Sequence, residues 1–244
     1  ELRNPLNGIL GIARLMREDN TKDTHVPDRI QHLYSCANHL HQLLSQTLDY
    51  SSLESGKISV RPQPFSIDIL IQDVIAMHRT LLEKKGLELQ LEVPKTEQIW
   101  EGDPVLLRQI LINIISNAIK YTTKGFVRIS FSHTENGTEI ETRIEVTDSG
   151  PGIPTDKQDY IFKKFTRLSK AAESSISGTG LGLAIAAEMT QLMNGTLELD
   201  TQFQTGARFV LSLPFTLTDA ATEATTGSNH SQPLRGRLVL IADD

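Results

Sequence analysis

Three short polar blocks follow one another in a fixed order along this chain, at residues 113–120, 148–152 and 178–183. An amphipathic helix carries the first block, a strand precedes the second, and the third is a glycine-rich loop that opens a helix. A helix, a strand and a loop that share one site require a domain that mixes helices with a sheet. The order of the blocks therefore predicts an α+β fold with a site built from all three.

The first block lies on a helix with a clear start, because Asp103 is a good N-cap and Pro104 fits the first helical position. Asn113 and Asn117 are four residues apart, so both amides project from one stripe of the helix. An amide oxygen is a neutral, hard ligand that can complete the coordination of Mg2+ by water and phosphate oxygens. The alternative is two surface asparagines on an ordinary helix. The buried face is marked by apolar residues at three- and four-residue steps: Leu106, Leu107, Ile110, Leu111, Ile114, Ala118 and Ile119.

The second block follows a strand at 140–147, where apolar and polar residues alternate, and an Asn-Gly pair at 136–137 predicts a hairpin turn ahead of it. Asp148 stands at the strand end, and Gly150 and Gly152 let a ligand approach the backbone. An ionised carboxylate only accepts hydrogen bonds, so Asp148 suits the exocyclic amine of adenine. An ordinary glycine–proline turn is the alternative.

The third block opens a helix that runs to about Met193. Free N–H groups at a helix start bind phosphate oxygens where glycines admit the ligand. The spacing differs from the dinucleotide fingerprint, and the sequence holds no P-loop motif. The stretch 166–177 lacks apolar periodicity and is predicted to be a mobile lid. Four cations in and beside it are available to meet phosphate charge: Lys163, Lys164, Arg167 and Lys170.

Residues 1–56 are predicted to form a helical hairpin, and Ser55-Gly56 is the predicted hinge to the next domain. The second helix, predicted at 28–54, carries apolar residues at heptad-like spacing. Two such helices cannot bury their apolar stripes alone, so we expect a homodimer through a four-helix bundle. The stripe consists of Ile30, Leu33, Ala37, Leu40, Leu44 and Leu48.

Residues 57–215 are predicted to form an α/β sandwich, a sheet with helices on one face. A flexible linker is predicted at 216–235, because Thr, Ala, Ser and Gly dominate there without periodicity. Residues 236–244 are predicted to be a strand that ends in two acids.

Composition excludes several classes of protein. The net charge is −6 and the pI is about 5.7, which argues against a nucleic-acid partner. The single cysteine, Cys36, excludes an internal disulfide and a thiolate metal cluster. An apolar run of about eighteen residues does not occur, so no membrane contact is expected within this segment.

The three blocks, with Phe162 and Phe165 between them, resemble the N, G1, F and G2 boxes of sensor histidine kinases. These belong to the Bergerat-fold (GHKL) ATPases, with type II topoisomerases, Hsp90 and MutL. Residues 1–8 resemble the H box, whose usual form is His-Glu-Leu-Arg-(Thr/Asn)-Pro-Leu. The resemblance covers residues 1–214, and the phosphoaccepting histidine of the H box would stand immediately before Glu1.

The resemblance implies ATP and Mg2+ as cofactors. It implies that Asp148 holds adenine, that Asn117 with Asn113 holds Mg2+, and that Glu1 orients the histidine or takes its proton. Asn4 is the position that can hold a water for dephosphorylation. The remaining nucleotide contacts implied by the boxes are Lys120, Tyr121, Gly150, Gly152, Phe165, Gly178, Thr179, Gly180, Leu181 and Gly182.

The resemblance also implies a partner, a response regulator or a receiver domain. Residues 237–244 resemble the first strand of a receiver, which favours a hybrid kinase; a chance strand is the alternative. A sensor or membrane-spanning part is expected upstream, so the segment is predicted to be the cytoplasmic part of a membrane-anchored sensor.

Three functions follow. The first is ATP-dependent autophosphorylation of a histidine and phosphotransfer to a receiver aspartate. The second is a degenerate kinase that acts as an ATP-binding dimerisation scaffold. The third is a Bergerat-fold ATPase, although hydrolysing relatives usually carry Glu where Asn113 stands.

Overall fold

The computed structural model describes residues 3–18, 26–96, 98–166 and 179–218. The chain begins with two helices, α1 (Arg3–Glu18) and α2 (Val26–Glu54), which pack against each other. The predicted hairpin is confirmed, and α2 begins two residues earlier than expected. Gly56 follows α2 in the left-handed conformation, with φ of 64°, where a glycine carries no steric penalty.

A mixed α/β domain follows the hairpin. Its first helix ends at Gly86, which adopts the left-handed conformation typical of a helix C-terminus. The Asp103 side chain caps the next helix, because its Oδ1 accepts from the Val105 and Leu106 N–H groups, both at 3.0 Å. The elements are β1 (Gln63–Phe65), α3 (Ile67–Lys85), β2 (Glu88–Glu92), β3 (Trp100–Gly102), α4 (Pro104–Tyr121), β4 (Phe126–Asn136), β5 (Glu139–Asp148), α5 (Thr155–Gln158), α6 (Gly182–Leu192), β6 (Thr196–Leu199) and β7 (Ala207–Leu217).

The strands form one sheet in the order β1-β3-β7-β5-β4-β2, with β6 also paired to β7. The pair β2–β4 is parallel, and the other pairs in the described residues are antiparallel. The hairpin turn predicted at 136–137 joins β4 and β5. Because β7 lies beside β5, the end of β5 meets the start of β7, where Asp148 pairs with Ala207.

The last strand is longer than the sequence predicted. Thr216 and Leu217 pair with Glu101 and Trp100 of β3, so the sheet continues two residues into the stretch assigned to the linker. The cause is β3, a three-residue strand too short to show periodicity. Residues 219–244, which include the rest of the predicted linker and the predicted receiver strand, lie outside the described residues.

Helices α3, α4 and α6 pack in one layer on one face of the sheet, which confirms the predicted α/β sandwich. Alternate strand residues point into this layer and are buried, such as Val127, Ile129 and Phe131 of β4. The opposite face carries charged pairs, including Arg143 with Glu145 at 2.8 Å. Among the described residues, no helix combines the length and the apolar character needed to cross a bilayer.

Candidate functional site

The second block places a buried carboxylate at the edge of the sheet. Asp148 ends β5, and only 4% of it is exposed. Its Oδ1 accepts from the Gly150 N–H at 2.8 Å and from the Ala207 N–H at 3.4 Å. Burial raises the pKa of Asp148, while hydrogen bonds from Gly150, Ala207 and the Thr122 side chain act against that rise. The carboxyl group is therefore fixed in position and poorly hydrated, which strengthens any hydrogen bond that it accepts from a ligand.

Glycines make the surroundings of this carboxylate possible. A Cβ on Gly150 would lie 2.8 Å from Asp148 Oδ1, and Gly152 has φ of 72°. Gly206 has φ of 141°, and a Cβ there would lie 1.8 Å from the backbone oxygen of Asp148. Gly206 and Thr122 were missed by the sequence analysis. The signal for Gly206 is its place directly before the β7 strand; Thr122 gave no signal.

The first block brings two amides to the same site. Asn113 is 5% exposed, whereas Asn117 is half-buried one turn further along α4. A Cβ on Gly182 would lie 3.6 Å from Asn113 Oδ1 and 3.9 Å from Asn117 Nδ2. The asparagines of α4 therefore face the start of α6, and the first and third blocks lie next to each other.

The asparagine pair fits a polar ligand. The Asn113 Nδ2 atom is buried and has no hydrogen-bond partner within residues 98–166 or the other described ranges. The Asn113 Oδ1 atom, the kind of atom that Mg2+ binds, already lies toward Gly182. The described ranges contain no group of three or more His, Cys, Asp or Glu side chains placed to hold a metal. A cation at this place would thus depend on amide oxygens together with the oxygens of a ligand.

The glycine-rich loop and the residues that precede the predicted lid lie side by side. The Phe165 N–H donates to the Gly180 carbonyl oxygen at 3.1 Å, and a Cβ on Gly180 would lie 2.7 Å from the Thr166 oxygen. Phe165 has φ of 60°, which is unusual for a bulky residue, and 69% of it is exposed. The two ends of the predicted lid are therefore adjacent, while 167–178, with Gly178, Arg167 and Lys170, lies outside the described residues.

Thr179 makes one hydrogen bond within this loop and one to α2. It is buried, and its hydroxyl oxygen accepts from the Leu181 N–H at 3.1 Å. The same hydroxyl donates to Gln46 Oε1 on α2 at 2.6 Å. Gln46 was not anticipated, because α2 was assigned only to the hairpin.

The predicted cations are arranged differently from one another. Lys120 Nζ lies 5.0 Å from the centroid of the Tyr121 ring, close to the asparagine pair along α4. Lys163 Nζ lies 4.2 Å from the Tyr160 ring centroid. Lys164 points to α2, where its Nζ is 3.4 Å from Glu54 Oε1.

The two predicted catalytic residues stay predictions. Asn4 lies on α1, and Glu1 lies outside the described residues.

A cavity of about 1000 Å³ lies at another part of the domain, lined by Glu101, Glu139, Met193 and Phe215 among others. None of the predicted site residues lines that cavity, so it is separate from the site described here.

Two family models match this chain. The His Kinase A (phospho-acceptor) domain matches residues 1–56. The histidine kinase-, DNA gyrase B- and HSP90-like ATPase matches residues 102–217. The second match contains the predicted nucleotide contacts from Asn113 to Gly182.

Curated relatives match over the whole chain. It is 31% identical to the autoinducer 2 sensor kinase/phosphatase LuxQ of Vibrio cholerae, of which it covers 29%. It is 32% identical to the virulence sensor protein BvgS of Bordetella pertussis, of which it covers 20%. The chain thus spans less than a third of the length of these relatives.

Solved structures share the fold. Full-length ShkA in complex with AMPPNP matches with a TM-score of 0.68 and 30% identity, over 88% of this chain and 44% of that one. The Acinetobacter baumannii histidine kinase AdeS matches with a TM-score of 0.67 and 23% identity, over 87% of this chain and 95% of that one. Both domain models match, the relatives match along the whole of this chain, and the fold is shared. This chain therefore belongs to the sensor histidine kinases and carries their phosphoacceptor domain followed by their ATP-binding domain.

Proposed function

We propose that this chain is an ATP-dependent protein-histidine kinase that phosphorylates a histidine and passes the phosphoryl group to a receiver aspartate. The observation that carries the proposal is the meeting of Asn113 and Asn117 with Gly182, beside a domain edge that holds the buried Asp148. The sensor kinase relatives and the AMPPNP complex of ShkA support it. Because a kinase uses ATP, we also propose that this segment works in the cytoplasm.

Each part of the site has a separate task in this proposal. Asp148 accepts a hydrogen bond from the adenine amine. The backbone N–H groups at the start of α6, with Gly180 and Gly182, hold phosphate oxygens. Asn113 and Asn117 would hold Mg2+, which when bound neutralises the charge of the phosphates. Lys120 and Tyr121 lie near the phosphates, and Phe165 with the predicted lid keeps water out.

Phosphoryl transfer exchanges one bond at the γ-phosphorus for another. The bond to the oxygen that bridges the β- and γ-phosphates breaks, and ADP leaves with that electron pair. A bond forms from the imidazole nitrogen of the histidine, which the H-box pattern places immediately before Glu1. The imidazole proton passes to a base, the role proposed for Glu1. Asn4 is proposed to hold the water for a separate dephosphorylation step, in which water accepts the phosphoryl group and inorganic phosphate leaves.

The hairpin supplies the partner surfaces. Leu6, Leu10, Ile30, Leu44 and Leu48 are exposed in the single chain, although all are large and apolar. Burying them needs a second copy, so we propose a homodimer through a four-helix bundle. The receiver is proposed to come from a response regulator or from the chain beyond residue 236.

Calorimetric titration with AMPPNP and Mg2+ tests the nucleotide site. Asp148→Asn places an amide donor or a weaker acceptor against the adenine amine, and we expect affinity to fall by roughly 10- to 100-fold, since hydrogen bonds to charged groups are worth about 1.5–3 kcal/mol. Asn117→Ala should lower the affinity only when Mg2+ is present. The matched control is Asp73→Asn, because Asp73 pairs with Arg108 on the exposed side of α3. Unchanged binding in the Asp148 and Asn117 variants would contradict the proposal.

Stability measured against pH separates lost binding from lost folding. Because burial raises the pKa of Asp148, its ionised form costs the folded state free energy at neutral pH. Asp148→Asn removes that cost, so the variant should be at least as stable as the parent at pH 7. The advantage should shrink as pH falls through the raised pKa and vanish below the ordinary value of 3.8.

Labelled ATP distinguishes the three functions. With a histidine placed before Glu1, acid-labile and base-stable label from γ-labelled ATP should appear on the protein. Free phosphate without protein label would indicate an ATPase, and neither product would indicate a scaffold.

A further inference from the structure

One face of α2 contacts the glycine-rich loop at Thr179 and the segment before the predicted lid at Lys164. Gln46 Oε1 accepts the hydroxyl proton of Thr179 at 2.6 Å, although the two residues are 133 positions apart. Two turns further along α2, Glu54 Oε1 lies 3.4 Å from Lys164 Nζ. Between them, the Tyr50 ring centroid lies 4.3 Å from the same ammonium. Gln46, Tyr50 and Glu54 are four residues apart and thus form one stripe of the helix, the α2 latch.

The latch uses groups that the phosphates of a nucleotide would also use. Its two polar ends are oxygen acceptors, the amide oxygen of Gln46 and the carboxylate of Glu54. Their partners, the Thr179 hydroxyl and the Lys164 ammonium, are the kinds of donor that bind phosphate oxygens. A hydroxyl has one proton to donate, so Thr179 cannot serve Gln46 and a phosphate oxygen together.

Thr179 also occupies a backbone donor at the start of α6. Its hydroxyl oxygen accepts from the Leu181 N–H, one of the groups that a helix N-terminus offers to an anion. Gln46 fixes the rotation of this hydroxyl by taking its proton, which keeps the lone pair on Leu181. In this arrangement the Thr179 hydroxyl makes one hydrogen bond within the loop, to Leu181, and one to Gln46 of α2. A phosphate that uses these donors must displace both hydrogen bonds.

We propose that the α2 latch and the nucleotide phosphates compete for the same donors, so that ATP binding releases the catalytic domain from α2 and latch formation lowers ATP affinity. The inference rests on the proposed nucleotide site. By thermodynamic linkage, the factor by which bound phosphates weaken latch formation equals the factor by which the formed latch weakens phosphate binding. Gln46 is a positioning residue in this account. A signal that moves α2 would thereby change ATP affinity without touching the nucleotide.

Gln46→Ala, titrated calorimetrically in the 244-residue chain, tests the inference. Affinity for AMPPNP with Mg2+ should rise about 3- to 10-fold, because one partly buried hydrogen bond no longer opposes binding. Affinity for adenosine, which has no phosphate, should be unchanged. That difference would not arise from a general structural effect of the substitution. Gln46→Glu restores an acceptor and should return AMPPNP affinity to the parent value or below it.

Two further variants complete the test. Glu54→Gln should tighten AMPPNP binding about twofold, an effect that high salt removes, because the ion pair is exposed. Gln31→Ala changes the same residue type at an exposed position of α2 and should have no effect. Equal or weaker AMPPNP binding in Gln46→Ala, or an equal gain for adenosine, would overturn the latch. If the parent chain itself fails to bind AMPPNP, the proposed function fails instead.

Discussion

Helices α4 and α2 have similar apolar patterns, but the apolar residues of α4 are buried and several of those on α2 are exposed. The large aliphatic residues of α4 that face the sheet and α6, such as Ile110, Ile114 and Ile119, are completely buried. On α2, Leu48 is 66% exposed and Leu44 is 46% exposed. The difference shows that an apolar stripe indicates only that one face of a helix must be buried, not which surface buries it. For α4 the cover lies in the described part of the chain, whereas the described residues supply none for the face of α2 that carries Leu44 and Leu48.

The two faces of α2 sharpen this contrast. Leu53 and the latch residues face the catalytic domain, where Leu53 joins its buried core and Gln46 pairs with Thr179. Leu44 and Leu48 lie on another face, which stays exposed in the single chain. The catalytic domain thus has its apolar core within this chain, whereas the hairpin is complete only in the proposed homodimer.

The largest effect is expected from the core of α4. Ile110→Ala should lower the free energy of unfolding by about 2–5 kcal/mol, since it leaves a cavity among fully buried side chains. Denaturation by urea would measure it. Val105→Ala, on the exposed side of the same helix, should change stability by no more than about 0.5 kcal/mol. Similar losses for both variants would remove the claim that α4 is fully covered by its own chain.

The second effect concerns the exposed face of α2. Leu44→Asp should weaken homodimer formation by more than tenfold, because a charge would enter the apolar bundle. The urea midpoint of the catalytic domain should not move. Sedimentation over a range of concentrations gives the dissociation constant. Ser35→Asp, an exposed position on the opposite side of α2, serves as the matched control, and a dimer as strong in Leu44→Asp as in this control would place the interface elsewhere.

The smallest effect concerns how the two helices end. The Lys85 ammonium donates to three carbonyl oxygens at the end of α4, those of Ile119, Lys120 and Thr122, at 2.6, 2.9 and 3.2 Å. The last turn of α2 has no basic residue. Lys85→Met should therefore cost the catalytic domain about 1–2 kcal/mol by urea denaturation. The exposed neighbour variant Lys84→Met should cost nothing measurable, and equal values for the pair would show that the helix end needs no lysine.

The sequence predicted the elements that have a strong period or a clear terminal signal. The start of α4 at Asp103 and Pro104, the turn between β4 and β5, and the end of β5 at Asp148 all follow from local chemistry. β1 and β3 were missed because three residues are too few to show alternation. The extension of β7 was missed for the same reason, since it depends on pairing with β3.

The residues of the candidate site also fall into two groups, those that local sequence selected and those that it could not. Local sequence selected Asp148, Asn113, Asn117 and the glycine-rich loop as candidates, because each predicted role needs a particular side chain or backbone freedom. Thr122 and Gln46 could not be selected, since their roles depend on contacts with Asp148 and Thr179 that are distant in the chain.

By itself the sequence determined which groups the chain carries: a carboxylate, two amides and a glycine-rich loop, each fixed by residue type and short-range spacing. Only the tertiary structure decided which distant parts of the chain contact these groups. Thr179 meets α2, Asp148 meets the start of β7, and the end of α4 meets Lys85. These contacts join segments separated by 34 to 133 residues, where no local period constrains the outcome and packing alone determines the partner.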